Sequence, residues 1–433
     1  MAALHLRSAR LIDGTGAPPL EEATVTVEDG RVSGIGSGDG AVPGGAVELD
    51  LDGRTLMPGL VDAHFHVTAA FDMPSVRKGQ EPIAPEVRHH LIAAGLGRML
   101  RMGVTTVRDV GAFGDDLLHA RQAVRLGVMP GPRILACGRI VSATSAGGRH
   151  FDGMYREADG PDEMRKATRE QFRRGADFIK IMTTGARSCE LENSLPLQMT
   201  RAEMAAVVEE SHRMGYRVAA HCEGLDGTRM AIEEGVDTIE HGLELHSEPE
   251  MLEELARSER VLVPTLSCFF HVSENRGSQW APKLVELAHR QLDEAHRTVE
   301  AARRAGVRIA MGFDSRPPGQ NALELVRLCR AGLTPMEGIV AGTAASAAAC
   351  GLADHVGTVA PGRAADLVVV EGDPLEDPEL LLDERHIWLV IQSGRPVAGA
   401  ALEAELPGVP ALAPGPPGDP VPALAGRPIG PPA

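Results

Sequence analysis

The residues with the clearest potential for chemistry stand at the ends of short apolar runs. His64 and His66 follow the first of these runs, residues 60–63, which is apolar except for Asp62. Because side chains at i and i+2 of a strand point to the same face, a strand here would present two imidazoles to one divalent metal ion. Packed or solvated histidines would give the same spacing, so this pair indicates a metal site only in combination with other residues.

Four further polar residues lie within or directly after comparable apolar runs: Lys180, His221, His241 and Asp314. A lysine inside an apolar run is costly to bury in its charged form, so Lys180 should have a lowered pKa or be paired or modified. The alternative is a lysine at a strand edge whose amine reaches solvent. Each residue is ordinary by itself, but a barrel of parallel strands would bring all of them to one point.

The middle of the sequence predicts the elements that this convergence requires. Apolar runs alternate there with helical stretches, and Thr200 and Thr334 each begin a capping box completed by Glu203 and Glu337. Such alternation predicts an α/β fold, a (β/α)8 TIM-type barrel over residues 58–352. Its eight strands are expected to begin near Leu60, Val104, Arg133, Phe178, Arg217, Asp237, Val261 and Arg308.

Both ends of the chain predict β-structure of a different kind. Short alternating runs separated by Asp-Gly turns fill residues 1–57, and similar runs return over residues 353–404. We expect the two ends to form one small β-sandwich domain together. Residues 405–433 are rich in proline and have no periodicity, so they predict a disordered or surface-wrapping tail.

Composition excludes several classes of partner. Sixty acidic and 43 basic side chains give a formal charge of −17, which repels nucleic acid and anionic membranes. Six cysteines without a CxxC pair indicate reduced thiols rather than disulfides or a zinc knuckle. No signal peptide or membrane span is apparent, so we expect a cytoplasmic protein with a small-molecule substrate. Apolar helices around the barrel favour a homo-oligomer.

Taken together, the motifs resemble the amidohydrolase superfamily, in the branch that contains imidazolonepropionase-like enzymes and metal-dependent prolidases and carboxypeptidases. The resemblance covers about residues 3–400. It rests on ordered motifs at residues 57–66 (MPGLVDAHFH), 103–109 (GVTTVRD), 176–180 (ADFIK), 239–242 (IEHG) and 361–367 (PGRAADL).

The resemblance implies a binuclear metal centre. His64, His66 and Asp314 would hold one divalent ion, and His221 and His241 would hold the second, with a carboxylated Lys180 between them. Zinc is the first expectation, and manganese and cobalt are alternatives because the same ligands accept them. A metal-bridging hydroxide would attack the carbonyl, with Asp314 as general acid and base. The expected reaction is hydrolysis of an amide or peptide bond, with a dipeptide or N-acyl amino acid as substrate.

The loops depart from the family pattern and leave substrate recognition open. Related enzymes often have a Gly-Gly-His-Gly segment after the third strand, whereas residues 145–150 read SAGGRH here, so His150 is a displaced candidate for the catalytic histidine. Arg149, Arg187 and Arg316 lie on loops that would overhang the metals, where an arginine can bind a substrate carboxylate. The alternative for each arginine is an exposed surface cation.

Two other functions remain open from the sequence. A deaminase or cyclic-amide (imidazolone-type) hydrolase of the same superfamily would lack the lysine and often place a glutamate three residues beyond the fifth-strand histidine, whereas Glu223 follows His221 by two. A catalytically silent binding or assembly protein would have lost metal ligands, yet all six positions are filled here.

Overall fold

Parallel strands alternate with helices through the middle of the chain, and mainly antiparallel strands occupy both ends. The computed structural model describes residues 3–38, 42, 44–72, 81–274 and 280–403; the predicted tail from residue 405 lies outside them. The strands are β1 Leu4–Leu11, β2 Leu20–Glu28, β3 Arg31–Ser37, β4 Val47–Asp50, β5 Thr55–Pro58, β6 Leu60–Phe65, β7 Val104–Asp109, β8 Arg133–Ala136, β9 Ile140–Ser142, β10 Tyr155–Glu157, β11 Ile179–Met182, β12 Val218–Cys222, β13 Thr238–His241, β14 Val261–Val263, β15 Leu367–Val370, β16 Ile387–Gln392 and β17 Arg395–Ala398.

The helices occupy most of the connections between these strands. They are α1 Ala69–Asp72, α2 Pro85–Arg101, α3 Asp116–Arg125, α4 Ala146–His150, α5 Pro161–Arg174, α6 Arg201–Arg213, α7 Leu225–Glu233, α8 Pro249–Arg257, α9 Leu266–Glu274, α10 Pro282–Ala305, α11 Ala322–Arg330, α12 Pro335–Val340, α13 Ser346–Ala349 and α14 Ala400–Glu403. Both predicted capping boxes are confirmed, at Thr200 before α6 and at Thr334 before α12. In the described ranges, no helix combines the length and apolarity needed to cross a bilayer.

Strands from both ends of the chain form one eight-stranded sheet. Its order is β17-β16-β15-β5-β1-β2-β3, and β4 pairs with β1. β5 and β15 run antiparallel, with Met57 opposite Val368, which joins the N-terminal and C-terminal segments. Alternating side chains such as Leu6, Val25 and Val369 are buried in one hydrophobic cluster, the outcome expected of period-two sequences.

The middle of the chain contains two parallel sheets. One has the order β6-β7-β8 and the other the order β10-β9-β11-β12-β13-β14. Backbone hydrogen bonds connect them further: Asp177 N–H, just before β11, donates to Ala136 O of β8 over 2.8 Å, and Ala63 N–H of β6 donates over 2.9 Å to Met311 O of the segment that follows β14. The carboxyl ends of the parallel strands therefore face the same side.

The predicted eighth strand differs from the other seven. Seven parallel strands begin within one residue of the expected positions, but the segment near Arg308 forms only an isolated bridge between Ile309 and Leu262. On the side of β14, Ala310 N–H donates to Leu262 O. On the side of β6, Met311 N–H donates to Ala341 O and Phe313 N–H donates to a carboxylate oxygen of Asp62, so these two donors do not pair with the backbone of β6.

A buried ion pair joins the parallel strands to the terminal sheet. Arg133, the first residue of β8, donates from Nη1 to Asp366 Oδ2 over 2.6 Å, directly before β15. The other Asp366 oxygen accepts the backbone N–H of Ser393 over 2.7 Å. Both charged side chains are buried, so each needs the opposite charge of the other to offset its loss of hydration.

Asp366→Ala should therefore lower the free energy of unfolding by about 3–5 kcal/mol, because it leaves the Arg133 charge buried without its carboxylate. The shift of the urea unfolding midpoint measures this loss. Glu253→Ala is the matched control, since its pair with Arg257 is exposed and should contribute less than about 1 kcal/mol. Equal midpoints for the two variants would contradict the interpretation.

Candidate metal centre

Two histidines of the first parallel strand meet an aspartate from the eighth segment. His64 Nε2 lies 3.8 Å from Asp314 Oδ2, and His66 Nε2 lies 3.9 Å from Asp314 Oδ1. The ligand atoms of the three residues all lie within 4.8 Å of one another. The structure thus brings together the residues that the resemblance assigns to a first metal ion.

His241, at the end of β13, stands next to this group. Its ring centroid lies 5.2 Å from that of His64 and 4.6 Å from that of His221. The second set of ligand atoms within 4.8 Å of one another consists of His241, Cys268 and Asp314. Cys268 therefore joins His221 beside His241, although the sequence indicated no more than a reduced thiol at each cysteine.

Each of the four histidines has one ring nitrogen engaged by a neighbouring group. His66 Nδ1–H donates to Gly111 O over 2.9 Å, and His221 Nε2–H donates to Gly185 O over 3.0 Å. A neutral imidazole that donates from one nitrogen keeps a lone pair on the other. The lone pairs of these two rings are consequently on His66 Nε2 and His221 Nδ1.

The other two histidines are held by side chains. His64 Nδ1 lies 2.6 Å from Glu240 Oε2, and His241 Nδ1 lies 2.6 Å from the hydroxyl of Thr265. Metal-binding histidines usually have such a partner on the remote nitrogen, which fixes the ring and its tautomer. The four rings fit the requirements of a metal ion in this respect.

Burial keeps these imidazoles neutral. It lowers the pKa of His66 to about 4 and lowers the pKa values of His64, His221 and His241 as well. A protonated imidazole has no lone pair for a metal, so the lowered pKa values preserve the ligating form near neutral pH.

Lys180, on β11, has the least satisfied side chain of the site. It is buried in the strand interior, and its Nζ atom has no hydrogen-bond partner within the described residues. Burial lowers the pKa of this amine, with the Arg108 charge acting in the same direction. A strand-edge lysine that reaches solvent, the alternative left open by the sequence, does not match this position.

Beneath the histidines, Arg108 and Glu240 form a buried ion pair. Arg108 Nη2 donates to Glu240 Oε1 over 2.7 Å, while the other Glu240 oxygen faces His64. Burial alone would raise the pKa of Glu240, but Arg108 and the contact with His64 bring it well below its usual value. An ionised carboxylate thus holds His64 from behind.

Three residues at the mouth of the strands have left-handed backbone conformations. The φ angles are +68° at His241, +51° at Thr265 and +39° at Asp314. Positive φ is uncommon outside glycine and costs about 1–2 kcal/mol per residue. At these points the backbone turns out of the strand and aims the side chain at the centre.

A cavity opens above the candidate ligands. Two of the four predicted loop residues line this cavity and two do not. Arg187 and Arg316 line it together with the candidate ligands. Arg149 is exposed, and neither Arg149 nor His150 belongs to the described cavity lining. His150 packs edge-on against Phe151, which does line the cavity.

Several residues of the site carried no usable sequence signal. Glu240 and Thr265 contact the candidate ligands His64 and His241 through space, and Cys268 lies near His241 from α9. Tyr155, Phe151 and Trp280 line the cavity from connections without a transferable pattern. Glu240 precedes His241 in the quoted Ile-Glu-His-Gly motif, which was the available hint of its importance.

Comparisons with known proteins agree with this geometry. The family model described as the amidohydrolase family matches residues 55–397. Among curated relatives, ochratoxinase of Aspergillus niger is 30% identical over 413 residues, covering 87% of this chain and 84% of that protein. Imidazolonepropionase of Paracoccus denitrificans is 27% identical over 384 residues, covering 81% and 88% respectively.

A solved structure is also similar to this chain. That of a Xaa-Pro dipeptidase with bound methionine in its active site superposes with a TM-score of 0.83 at 29% identity, covering 92% of this chain and 100% of the other. The family and this neighbour imply a TIM-barrel fold and a place in the branch with prolidases and imidazolonepropionases. Enzymes of the family are generally metal-dependent.

Thr265→Val should weaken binding of a divalent metal ion by about 10–100-fold, because it removes the hydroxyl that fixes the His241 ring. Competition with a chromophoric chelator measures the dissociation constant. Thr265→Ser keeps the hydroxyl and should retain nearly the original affinity. If both variants bound metal like the unmodified protein, the hydroxyl would have no part in orienting His241.

Proposed function

The chain belongs to the amidohydrolase family and is a hydrolase acting on carbon–nitrogen bonds, and from this premise we propose that it hydrolyses an amide or peptide bond of a dipeptide or N-acyl amino acid. The observation that carries the proposal is that four neutral histidines, Asp314 and Lys180 line one cavity, and that the buried Lys180 amine has no hydrogen-bond partner within the described residues. The ochratoxinase and dipeptidase relatives support hydrolysis of an amide over deamination.

The residues that would hold the metals follow from the same convergence. His64, His66 and Asp314 would bind one divalent ion, His221 and His241 the other, and a carbamate formed on Lys180 would bridge them. Zinc, manganese or cobalt would each suit these ligands. When bound, such ions supply Lewis acidity, which polarises a carbonyl and makes water a competent nucleophile near neutral pH.

The protein's own groups then account for proton transfer. Asp314 lies beside two histidines at the floor of the cavity, with about a fifth of its side chain exposed, so water and substrate can reach it. Its carboxylate would accept the proton of the attacking water and return it to the departing amine. The cavity arginines, Arg187 and Arg316, would orient the substrate by its carboxylate.

The proposed site also requires a particular fold around the observed sheets. We propose that the parallel strands close into the (β/α)8 barrel of residues 58–352, with the hydrogen bonds at Ala136 and Met311 as its seams. Residues 1–57 and 353–404 would then form the small β-sandwich domain, for which the shared eight-stranded sheet is the support.

A substrate screen tests the function directly. Metal-loaded protein should cleave members of a library of dipeptides and N-acyl amino acids, and chelation should reduce turnover to the background rate until metal is restored. Imidazolones and lactones belong in the same screen, since exclusive cleavage of these compounds would favour the cyclic-amide alternative. Full turnover after complete chelation would contradict the metal mechanism.

Lys180→Ala should reduce the metal content from about two equivalents per chain to about one and remove most activity, because the bridging ligand is lost. Added short-chain carboxylates should restore part of both by filling the vacated space. Lys180→Arg should resist this rescue, since a guanidinium remains charged and occupies the gap. Elemental analysis gives the stoichiometry, and two retained metals with normal turnover in Lys180→Ala would overturn the bridging role.

A further inference from the structure

The hydroxyl of Thr265 faces away from the helix that it precedes. Thr265 comes directly before α9, where a threonine hydroxyl commonly accepts hydrogen bonds from the first backbone N–H groups of a helix. Within the described residues, its partners are instead His241 Nδ1 at 2.6 Å and Cys268 Sγ at 3.3 Å. The threonine thus orients a candidate metal ligand and leaves the start of α9 to another group.

That group is Glu324, on the neighbouring helix α11. Glu324 Oε1 accepts the backbone N–H of Leu266 over 2.7 Å, and Oε2 accepts the N–H of Ser267 over 2.7 Å and its hydroxyl over 2.5 Å. Leu266 and Ser267 are the first two residues of α9, and such early N–H groups have no acceptor inside their own helix. A carboxylate at this end also interacts favourably with the helix dipole. Glu324 therefore supplies the N-terminal cap that Thr265 does not.

A second residue of α11 holds the same end of α9. Arg327 Nη1 donates to Ser267 O over 3.5 Å, and the Arg327 guanidinium lies 4.2 Å from the centroid of the Phe270 ring. Glu324 has no exposed surface, and Arg327 is buried as well. Because buried charges are tolerated only where they are paired and hydrogen-bonded, these contacts determine closely where α9 begins relative to α11.

The backbone at Thr265 depends on this anchoring. Its φ angle of +51° is a costly conformation for a β-branched residue, and it persists only where neighbouring contacts hold it. The next two N–H groups along the chain are the ones that Glu324 accepts. Without these bonds the turn could relax, and the Thr265 hydroxyl would be the nearest replacement acceptor for the freed donors.

We propose that Glu324 is a positioning residue for His241: by capping α9 in place of Thr265, it leaves the Thr265 hydroxyl to fix the His241 ring, with Nε2 left for a metal ion. The inference rests on the proposed metal centre. Glu324 is not among the described residues that line the cavity, so its influence on His241 passes through Thr265.

Glu324→Gln tests this relation, because an amide nitrogen donates where the carboxylate oxygen accepts, while the side chain keeps its size. With Zn²⁺ as the probe, one of the two stepwise dissociation constants should rise about 10–100-fold and the other should stay unchanged. Competition with a chromophoric chelator at about pH 8 measures both constants, above the pKa of about 7 to which burial raises Glu324. Two unchanged constants, or equal weakening of both steps, would overturn the proposal.

A double-mutant cycle separates an effect through Thr265 from general loosening of the fold. Since Thr265→Val already lacks the hydroxyl, adding Glu324→Gln should change its metal affinity by less than about twofold. Leu328→Ala is the matched control, because Leu328 lies on α11 within a hydrophobic cluster. It should lower the unfolding midpoint and leave both dissociation constants unchanged. Effects that multiply in the double variant, or a Leu328→Ala effect equal to that of Glu324→Gln, would contradict the assigned role.

A crystal structure of metal-free Glu324→Ala provides a test that does not depend on metal binding. We expect the Thr265 hydroxyl to move within hydrogen-bond distance of a backbone N–H of α9 and to lose its contact with His241 Nδ1. If that contact persisted at its present distance, Glu324 would have no part in positioning His241. Failure of the unmodified protein to bind two ions would instead count against the proposed metal centre.

Discussion

Glu240, on β13, has a carboxylate with no exposed surface. The candidate site depends on the groups that neutralise this buried charge. Arg108 neutralises one oxygen, and the other accepts a hydrogen bond from His64 Nδ1–H. Because a buried ion is tolerated only when it is paired and hydrogen-bonded, the two residues define the position of the carboxylate closely. His64 is consequently fixed by a network that reaches from β7 to β13, and not by its own strand alone.

The other candidate metal ligands are also held by neighbouring groups, with different partners. Backbone carbonyls hold His66 and His221, and a hydroxyl holds His241, so the orientation of each ring is prepared before any ligand binds. Lys180 is the exception, since its buried amine has no hydrogen-bond partner in the part of the chain that the structure describes. The neutral imidazoles are thus already oriented around an amine that lacks a hydrogen-bond partner. Metal cations and a carbamate on Lys180 would together give both the imidazole lone pairs and the lysine nitrogen their missing partners.

Much of this arrangement could be predicted from the sequence because strand periodicity and chain order determine which residues reach the mouth of a barrel. His64, His66, Lys180, His241 and Asp314 are brought together as that reasoning requires. The roles of Arg149 and His150 could not be judged in the same way, because both lie on the short helix Ala146–His150, and neither belongs to the described cavity lining. Cys268, on α9, and Tyr155, the first residue of β10, line the cavity from elements whose position no local sequence pattern encodes.

The left-handed backbone at His241, Thr265 and Asp314 has a consequence for how this protein would respond to selection. Glycine adopts such φ angles without the steric cost that a side chain incurs. Replacing one of these residues by glycine would remove a functional group and relieve local strain at the same time. A library sorted for thermal tolerance alone would therefore enrich inactive sequences at these three positions, so durability and catalysis have to be selected together.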